Sequence, residues 1–340
     1  MKVIYVGCDV SKAEIVIRAN VKGEIKTLST LSNDGAGFKE VLREVKKLKQ
    51  HHRGYKIQVV LEPTGGYEMG LAVFAHQQDW QVCLVNPKHV REWANSQGYR
   101  AKTDALDARV LADYAAQPPK NKPLPLWQPL PDRLLQLDSL LNRRRELEQM
   151  LLQETNRQAM LIHRPGMDPT VLDNLDSHIT MLGTALDAIN HALDAHIDQD
   201  PDLGEHIQQV DSVPGVGRKV VLPLYVLLAR WHAMTNGTGS AKALTAFVGL
   251  DPQTHQSGQS TRPGGISKTG DPEMRRLLYM AALGGKRGHN PLHDFFEHLV
   301  GNNKLPMVAL VAAARKILVW AWAVFRSHSF FDPQICAQNP

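Results

Sequence analysis

The order of strand-like and helix-like patterns in the first 116 residues limits the chain to few folds. Three runs with strand patterns, at 3–9, 13–21 and 24–30, follow one another with only short turns between them. Closely spaced strands of this kind predict an antiparallel meander. Two further apolar runs, at 56–62 and 80–86, are each preceded by a helical pattern. The chain therefore begins with an α/β domain whose strands belong to one sheet.

Helical periodicity and caps place four helices among these strands. Apolar residues recur on one face at about 34–50, and further helices are predicted at about 67–77, after Pro87, and from about Thr103 to Ala116. The serine, asparagine and aspartate before the first of these helices are favourable N-caps. The resulting order, βββαβαβα, is that of an RNase H-like domain.

A proline-rich segment marks the end of this domain. Six of the fifteen residues at 117–131 are proline, which predicts a stiff linker and a domain boundary. The predicted organisation is a domain over 1–117, the proline-rich linker over 118–131, a helical coiled-coil region over 132–205 and a mostly helical C-terminal domain over 206–340.

The segment after the linker carries two long helical patterns. Leucines from Leu134 to Leu151 recur close to every seven residues within a helix predicted over 132–163, and a second amphipathic helix is predicted over 169–199. We interpret these helices as an antiparallel pair. The pair either dimerises as a coiled coil with a second copy or packs as a plain bundle inside one subunit, and the sequence favours neither alternative.

The C-terminal part begins with a turn motif and ends with an apolar helix. VDSVPGVGRKVV has the form of a helix-hairpin-helix turn, in which backbone amides at a helix start can hold a phosphate, and it contains Arg218 and Lys219. The stretch 305–325 is predicted as a buried helix because Arg315 and Lys316 interrupt it. A membrane span needs about 20 nearly uncharged residues.

Composition bounds the partners and the compartment. The formal net charge is +5, and both ends of the chain are basic while the middle is acidic. Basic ends suit a polyanionic partner such as nucleic acid, although ordinary solvated faces explain the charge equally well. The three cysteines form no CxxC pair, which disfavours a disulfide framework and a thiolate zinc site. Without a signal-peptide pattern or a membrane span, the sequence predicts a cytoplasmic protein with no membrane partner.

Four carboxylates form the main candidate site. Asp9 and Glu62 each end an apolar strand, and the strands of one sheet bring such ends together. Asp104 and Asp107 stand three apart at a helix start, where their Cβ atoms lie roughly 5–6 Å apart on one face. Four such groups repel each other unless a cation lies between them, and hard oxygen ligands suit Mg²⁺ or Mn²⁺. A pair of such ions stabilises the attacking and leaving oxygens of a phosphoryl transfer.

Each of these acids also has an ordinary structural explanation. Asp104 and Asp107 in a first helical turn favour the helix dipole, with Thr103 as the cap, and Asp9 is placed to start a turn with Ser11. For any single acid this explanation is the better one. Taken together, on these elements and in this order, the four acids favour a metal site.

A serine in the segment HQSGQSTRPGGISKTG, residues 255–270, is the candidate nucleophile. Ser257 lies in a predicted flexible loop with Arg262 and Lys268 close by. Covalent attack on a phosphodiester conserves the bond energy for religation, which hydrolysis does not. From the spacing alone, a solvent loop without a catalytic function is the better interpretation. Two other serines of the segment are alternative nucleophiles, Ser260 and Ser267.

With these residues identified, the chain resembles the DEDD-type transposases of bacterial insertion sequences, the group that includes the bridge-RNA-guided recombinases. The matching stretches occur in family order and span most of the chain. They are VGCDVSKAE, LEPTGGYE, NPKHVREWANSQGYRAKTDALDARVLADY, VPGVGRKV, AFVGLDP and SGQSTRPGGISKTGDPEMRRLLYMAAL. The KTDxxDA motif and the block SGxS, SKxG and RRxLYM are specific to the family, whereas VPGVG is common elsewhere.

The resemblance implies a RuvC-like domain of the RNase H fold, a coiled-coil insert and a C-terminal transposase domain. It implies that the four carboxylates bind Mg²⁺, and that one serine of the C-terminal loop attacks DNA to form a phosphoserine link. Motif position points to Ser257, although the loop departs from the family pattern at Pro263 and in an extra glycine. Serine and carboxylates would come from different domains, and from different subunits, of a dimer or tetramer.

The resemblance further implies nucleic-acid partners. A structured non-coding RNA of the element would pair with donor and target DNA, so that sequence specificity lies in the RNA and the protein holds backbones. The enzyme would act on DNA of the bacterial nucleoid. The candidate nucleic-acid contacts are the basic side chains near the motifs: Lys102, Arg109, Arg218, Lys219, Arg262, Lys268, Arg275 and Arg276.

Three other interpretations compete with this one. A metal-dependent nuclease, such as a junction resolvase, would use the four acids and need no serine. An actin-like small-molecule kinase is indicated by VGCDVSKAEIVIRANVKGEI, which resembles a first phosphate loop. No second Gly-rich phosphate segment follows, however, and the KTDxxDA helix stays unexplained. A non-catalytic RNA-binding protein with a decayed RNase H fold would not need all four acids.

Overall fold

Six strands form one sheet in the first part of the chain. In chain order they are β1 (Val3–Val10), β2 (Glu14–Val21), β3 (Glu24–Ser32), β4 (Lys56–Leu61), β5 (Gln81–Leu84) and β6 (Leu126–Trp127). Across the sheet the order is β3-β2-β1-β4-β5-β6. Strand β1 pairs antiparallel with β2 and parallel with β4. The predicted α/β domain is confirmed, and so is the predicted order of its first five strands along the chain.

Two compact units divide the chain, Met1–Pro129 and Leu130–Pro340. The residues that the computed structural model describes are 2–99, 103–118, 124, 126–257 and 260–334, with the backbone alone at 105, 254–257 and 260–263. The sheet belongs to the first unit. The finer division into four parts stays a prediction.

Four helices cover the two faces of this sheet. They are α1 (Gly35–His51), α2 (Met69–Gln77), α3 (Pro87–Ser96) and α4 (Asp104–Ala116). Helices α1 and α2 pack on the face that carries Ile4, Val6 and Cys8. Helices α3 and α4 pack on the opposite face, with Val60 and Cys83. Because side chains alternate along a strand, apolar residues on both faces produce a three-layer unit.

Side-chain caps begin three of the four helices of this unit, α1, α3 and α4. The Asp34 carboxylate accepts hydrogen bonds from the backbone N–H groups of Ala36 and Gly37, both at 2.9 Å. Asn86 caps α3, and Pro87 follows in its first turn, where a fixed φ and a missing N–H carry no penalty. Each cap satisfies donors that a helix start leaves without an internal partner.

The segment predicted as a linker contributes the sixth strand. Leu126 and Trp127 pair antiparallel with Cys83 and Val82 of β5. An edge position suits a proline-rich segment, because proline has no backbone N–H to donate and an edge strand has a neighbour on one side only. Two residues are too few to show a strand period, so the sequence could not reveal this pairing.

Eight helices and one hairpin make up the described part of the second unit. The helices are α5 (Asp132–Leu161), α6 (Pro169–Asp198), α7 (Pro201–Asp211), α8 (Arg218–Met234), α9 (Ala241–Val248), α10 (Pro272–Gly285), α11 (Pro291–Gly301) and α12 (Pro306–Ser327). The strands of the hairpin are β7 (Pro252–Ser257) and β8 (Ser260–Ile266). One apolar core joins the start of α5 and the end of α6 to the later helices.

Helices α5 and α6 form an antiparallel pair, as the sequence predicts. Nε2 of His196, near the end of α6, lies 3.0 Å from the carbonyl oxygen of Arg133 at the start of α5. Towards the other end, the Gln158 amide donates to the carboxylate of Asp176. Three leucines of the predicted seam are buried: Leu137, Leu141 and Leu147. A coiled-coil contact with a second copy stays a prediction.

The final apolar helix belongs to the core. By length and composition α12 could cross a membrane, but 61% of its most apolar window is buried inside the unit. Ile317, Leu318 and Ala321 are fully shielded from solvent. The prediction of a buried helix is confirmed.

Most of the loop predicted at 255–270 is instead a β-hairpin. Strands β7 and β8 pair antiparallel, with Ser257 opposite Ser260 and Thr254 opposite Pro263. Glycine and proline in the segment argued against a strand. Each strand of a two-stranded hairpin has one edge without a partner strand, however, and such an edge accepts proline.

Candidate active site

Parallel pairing brings Asp9 and Glu62 to the same edge of the sheet. The register of β1 and β4 pairs Cys8 with Leu61; Asp9 is the next residue of β1, and Glu62 is the first residue after β4. Cys8 and Leu61 are fully buried on the face covered by α1 and α2. Because side chains alternate, the two acids fall on the opposite face, which α3 and α4 cover.

Helix α4 brings two more carboxylates to this face. The Thr103 hydroxyl caps the helix by accepting a hydrogen bond from the backbone N–H of Leu106 at 3.3 Å. Asp104 and Asp107 therefore lie in the first turn, and residues three apart share a helix face. The helix packs on β1 and β2. Its first turn, which carries Asp104 and Asp107, lies beside Asp9 near the end of β1.

Three of the carboxylates meet in one cluster. Among the described residues, carboxylate oxygens of Asp9, Asp104 and Asp107 all lie within 4.8 Å of one another. With Glu62 they line a cleft of about 530 Å³. Octahedral Mg²⁺ holds its oxygens at about 2.0–2.1 Å, so that opposite ligands are about 4 Å apart. The cluster fits a hard cation after small side-chain adjustments, and metal binding itself stays a prediction.

A glycine lets α4 approach the sheet closely. Gly7 precedes Asp9 by two residues on the same face of β1. A Cβ atom at Gly7 would lie 2.1 Å from the carbonyl oxygen of Ala108 and 2.5 Å from the amide nitrogen of Ala112. Both alanines are fully buried. The backbone of α4 therefore rests against the backbone of β1, and this contact sets how far Asp107 enters the cleft.

Sequence reasoning missed several residues that line the cleft. Ser11, Thr64, Arg91 and Tyr99 lie on its walls beside the carboxylates. Arg91, on α3, is exposed and adds a positive charge to the lining. These residue types show no distinguishing spacing; Ser11 and Thr64 lie two residues after Asp9 and Glu62, and the packing of α3 on the sheet brings Arg91 and Tyr99 to the carboxylates.

Tyr99 is held by both neighbouring helices. Its hydroxyl donates to Asp113 of α4 at 2.8 Å, and its ring stacks on Trp93 of α3 with 6.3 Å between ring centroids. Burial, and then the bond to Asp113, raises the pKa of Tyr99 above its ordinary value. Arg109, a predicted nucleic-acid contact, lies 5.8 Å from the Tyr99 ring centroid and 3.4 Å from the Asp113 carboxylate. Lys102 lies outside the described residues.

The predicted nucleophile lies at the end of a strand. Ser257 is the last residue of β7 and pairs with Ser260, the first residue of β8. Both serines therefore lie at the same end of the hairpin. Their side chains, and that of Arg262, lie outside the described residues.

The opposite end of the hairpin is held by a polar network. The Ser267 hydroxyl donates to the Asp251 carboxylate, and the Ser267 backbone N–H donates to the Asp251 carbonyl oxygen at 3.0 Å. Gly249 ends α9 with φ +78°, and a Cβ there would lie 2.0 Å from the Thr269 carbonyl oxygen. Lys268, a predicted nucleic-acid contact, is exposed, and its backbone N–H donates to the Gly249 carbonyl oxygen. Ser267 thus has a structural role at the base of the hairpin.

Two adjacent arginines of α10 have different surroundings. The Arg275 guanidinium donates to three backbone carbonyl oxygens, at 2.9 to 3.2 Å, at the end of α9 and in the segment before α10. Arg276 pairs with Glu273 one turn back, and its side chain is 60% exposed. Arg275 therefore ties two segments of the unit together, whereas Arg276 faces solvent, where a phosphate can approach.

We expect Arg275→Gln to destabilise the second unit and Arg276→Gln to leave its stability nearly unchanged. Loss of hydrogen bonds from a charged donor costs about 1.5–3 kcal/mol, whereas an exposed ion pair contributes at most about 1 kcal/mol. Urea unfolding followed by circular dichroism measures both effects. The folded Arg276→Gln variant should bind DNA more weakly. Equal unfolding midpoints for the two variants would contradict a structural role for Arg275.

The turn before α8 has the form predicted for phosphate contact. Helix α8 begins at Arg218 after Gly217, with no side-chain cap, and Arg218 and Lys219 are exposed. Gly215 in the turn has φ +90°, and a Cβ there would lie 2.8 Å from the Ala281 carbonyl oxygen. The turn is therefore packed tightly beneath α10, while the helix start stays accessible. Phosphate binding there stays a prediction.

Fold, cleft and sequence motifs together define the class of the protein. A family model described as a transposase, of the DEDD type in the IS110 group, matches residues 6–163. A second model, described as a transposase of the IS116/IS110/IS902 family, matches residues 207–297. The protein is a DNA transposase, an enzyme of DNA recombination.

Named relatives are similar over much of their length. The pilin gene-inverting proteins of Moraxella lacunata and Moraxella bovis are each 30% identical over 309 residues, which is 90% of this chain and 91% of theirs. The transposase for insertion sequence element IS1328 of Yersinia enterocolitica is 25% identical over 81% of this chain and 85% of its own. The chain belongs to the IS116/IS110/IS902 family of transposases.

One solved structure also aligns with part of the chain. T. thermophilus RuvC in complex with a Holliday junction substrate covers 34% of this chain and 92% of its own, at 11% identity. The TM-score of 0.26 is too low to add to the fold assignment.

Proposed function

We propose that this transposase exchanges strands between donor and target DNA through a phosphoserine intermediate, with Mg²⁺ or Mn²⁺ in the carboxylate cleft. The observation that carries the proposal is the cluster of Asp9, Asp104 and Asp107 in one cleft with Glu62. Membership of the family supplies the reaction class. Clustered hard oxygen ligands of this kind serve phosphoryl transfer.

The carboxylates are the proposed metal ligands. Asp9, Asp104 and Asp107 supply one tight group of oxygens, and Glu62 supplies a fourth carboxylate on the cleft wall. When bound, Mg²⁺ or Mn²⁺ polarises phosphate oxygens and stabilises charge on the attacking and leaving oxygens. Arg91 in the cleft lining attracts and orients a DNA phosphate through charge-assisted hydrogen bonds.

Ser257 is the proposed nucleophile. Its hydroxyl oxygen attacks the phosphorus of a DNA phosphodiester, so that an Oγ–P bond forms and the bond from phosphorus to one sugar oxygen breaks. The hydroxyl proton passes to water, and the leaving sugar oxygen takes up a proton. The energy of the broken bond is retained in the phosphoserine link. Attack by the hydroxyl of a second strand then forms a new phosphodiester and releases the serine.

Basic side chains are the proposed holders of the nucleic-acid backbone. Five of them are exposed on described parts of the chain: Arg109, Arg218, Lys219, Lys268 and Arg276. Phosphate contacts of this kind provide affinity that falls as salt concentration rises, without reading sequence. Specificity would then come from a structured non-coding RNA that pairs with donor and target DNA, as in other guided systems.

A dimer, or a tetramer on paired DNA, is the proposed assembly. Several apolar side chains of the α5–α6 pair are exposed in the single chain: Leu152, Met160, Ile162 and Met181. A coiled-coil contact with a second copy would remove such side chains from water. This exposure supports the alternative in which the helical pair dimerises.

A denaturing gel tests the covalent step directly. The protein, co-expressed with its flanking non-coding DNA, is incubated with labelled donor and target DNA and Mg²⁺, and protein–DNA adducts are separated by size. The wild type should form an adduct, and Ser257→Ala and Asp104→Asn should form none. Ser260→Ala, which changes the serine opposite Ser257, is the matched control and should form a wild-type amount.

Two results would change the proposal. An adduct that persists in Ser257→Ala and disappears in Ser260→Ala would move the nucleophile to Ser260. Nicking without an adduct, retained in Ser257→Ala but lost in Asp104→Asn, would replace strand exchange by metal-dependent hydrolysis. That activity is the nuclease alternative considered from the sequence.

Site-specific DNA inversion is a second candidate function. The observation that favours it is the 30% identity to pilin gene-inverting proteins over 91% of their length. A plasmid that carries two element ends in inverted orientation separates the two functions. Inversion changes the restriction pattern and keeps the plasmid size, whereas transposition adds the segment to a target molecule.

A further inference from the structure

The position of Glu62 needs an explanation beyond the packing of α4. The tight group found among the described residues contains Asp9, Asp104 and Asp107, and Glu62 lines the same cleft outside that group. Asp9 is the second-last residue of β1 and Glu62 directly follows β4, so a loop begins within two residues of each acid. The separation of the two carboxylates therefore depends on how these two loops are held.

The loop after Glu62 is folded around a buried carboxylate. Glu68 is 4% exposed and accepts hydrogen bonds from the backbone N–H groups of Thr64 and Gly66 at 2.9 and 3.0 Å, and from the Thr64 hydroxyl at 3.2 Å. Gly65 and Gly66 have φ +73° and +101°, which the tight turn requires. These bonds hold the loop in one compact turn directly after β4.

The loop after Asp9 is also closed on itself. The Ser11 backbone N–H donates to the Glu14 carbonyl oxygen at 2.8 Å, and the Glu14 N–H donates to the Ser11 hydroxyl at 3.0 Å. These bonds form the turn between β1 and β2. Both acid-bearing strand ends thus lead into compact loops with internal hydrogen bonds.

One side chain joins the two loops. The amide nitrogen of Asn33 donates to the carbonyl oxygen of Ser11 at 2.9 Å and to that of Tyr67 at 3.1 Å. A side-chain amide has two N–H donors, so one amide group serves both carbonyls. The Asn33 backbone N–H also donates to the Ala13 carbonyl oxygen at 2.9 Å. Asp34, and not Asn33, caps α1, which leaves the Asn33 side chain available for this bridge.

We propose that Asn33 is a positioning residue that sets the separation of the Asp9 and Glu62 carboxylates and thereby the affinity of the cleft for a divalent cation. The inference rests on the proposed metal site. Residues that orient metal ligands through hydrogen bonds change affinity about 10- to 100-fold when they are altered. Asn33 acts here on the loop that follows the fourth ligand, where its amide group ties that loop to the loop after Asp9.

A double-mutant cycle on the full-length protein tests the proposal without DNA or catalysis. Mn²⁺ is titrated into the protein, and the free ion is followed by electron paramagnetic resonance. Asn33→Ala should raise the Mn²⁺ dissociation constant about tenfold. Asn95→Ala, an exposed asparagine of α3 in the same unit, is the matched control and should leave it unchanged. In a Glu62→Gln background, Asn33→Ala should have little further effect, because residues acting through one group are not additive.

The outcomes separate this inference from the proposed function. Equal Mn²⁺ binding by the wild type and Asp104→Asn would overturn the metal site and the role of Asn33 with it. A wild type that binds more tightly than Asp104→Asn, together with an Asn33→Ala variant that binds like the wild type, overturns the role of Asn33 alone. The role of Asn33 is also overturned if the effects of Asn33→Ala and Glu62→Gln on the Mn²⁺ dissociation constant are fully additive. Asn33→Asp, which keeps the shape and loses the donors, provides the same comparison if Asn33→Ala does not fold.

Discussion

Gly7→Ala is expected to abolish metal-dependent DNA cleavage, with a loss of at least about 100-fold. The added Cβ would lie 2.1 Å from the Ala108 carbonyl oxygen and 2.5 Å from the Ala112 nitrogen. These are backbone atoms of a helix, so no side-chain rotation relieves the clash and α4 must move away from β1. Asp104 and Asp107 then move away from Asp9, and a misplacement of about 1 Å can lower a rate about 100-fold.

Cleavage by the purified variant in Mg²⁺ measures this effect, and thermal unfolding measures its structural part. Overpacking of this kind also destabilises a protein by about 1–3 kcal/mol, so the melting temperature should fall while the fold is retained. Gly35→Ala is the matched control, because a Cβ at Gly35 meets nothing within 4 Å. Full activity in Gly7→Ala would show that α4 is not held in the cleft by close contact with β1.

Asp107→Asn is expected to remove both activity and the stabilisation that a divalent cation confers. An ion that binds only the folded state stabilises it by an amount that grows with concentration, about 2.7 kcal/mol at 100 times the dissociation constant. Asparagine keeps the size of the side chain but loses the charge that a hard cation requires. Wild-type protein should therefore melt at a higher temperature in Mn²⁺ than in chelator, and Asp107→Asn should show no such difference.

A second aspartate of the same unit serves as a control, because its replacement removes one negative charge without touching the carboxylate cluster. Asp79 is exposed in a turn with φ +58°, a conformation that asparagine adopts as readily as aspartate. Asp79→Asn should keep both the Mn²⁺-dependent shift and the cleavage activity. A Mn²⁺-dependent shift that is equal in Asp107→Asn and in the wild type would argue against a metal ligand role for Asp107.

Much of the first unit was predictable because its signals are local. A strand pattern, a cap and an apolar stripe each depend on a few neighbouring residues. Such signals therefore predict β1 to β5 and the four helices close to their observed bounds. Asp104 and Asp107 were predicted on one face because the spacing of three determines it. Of three candidate caps at 32–34, however, only the structure selects Asp34.

The parts that escaped prediction depend on contacts between distant segments. Leu126 and Trp127 become strand residues only by pairing with β5, and the hairpin of β7 and β8 forms despite its glycines and Pro263 because each strand satisfies the other. Arg275 and Arg276 are adjacent and alike in sequence, yet one donates to three carbonyl oxygens and the other faces solvent. No local pattern distinguishes such cases.

The sequence by itself determined the residue types and spacings of the candidate site: acids at two strand ends and at i, i+3 of a helix, which is local geometry. Only the tertiary structure decided that three of these acids form a tight cluster and that Glu62 lies on the cleft wall. How closely α4 approaches β1 depends on the absence of a Cβ at Gly7, and the link between the loops that follow Asp9 and Glu62 depends on Asn33. Gly7 and Asn33 each join segments that are far apart in the chain. The distances between those segments are set by packing and hydrogen bonds that exist only after folding.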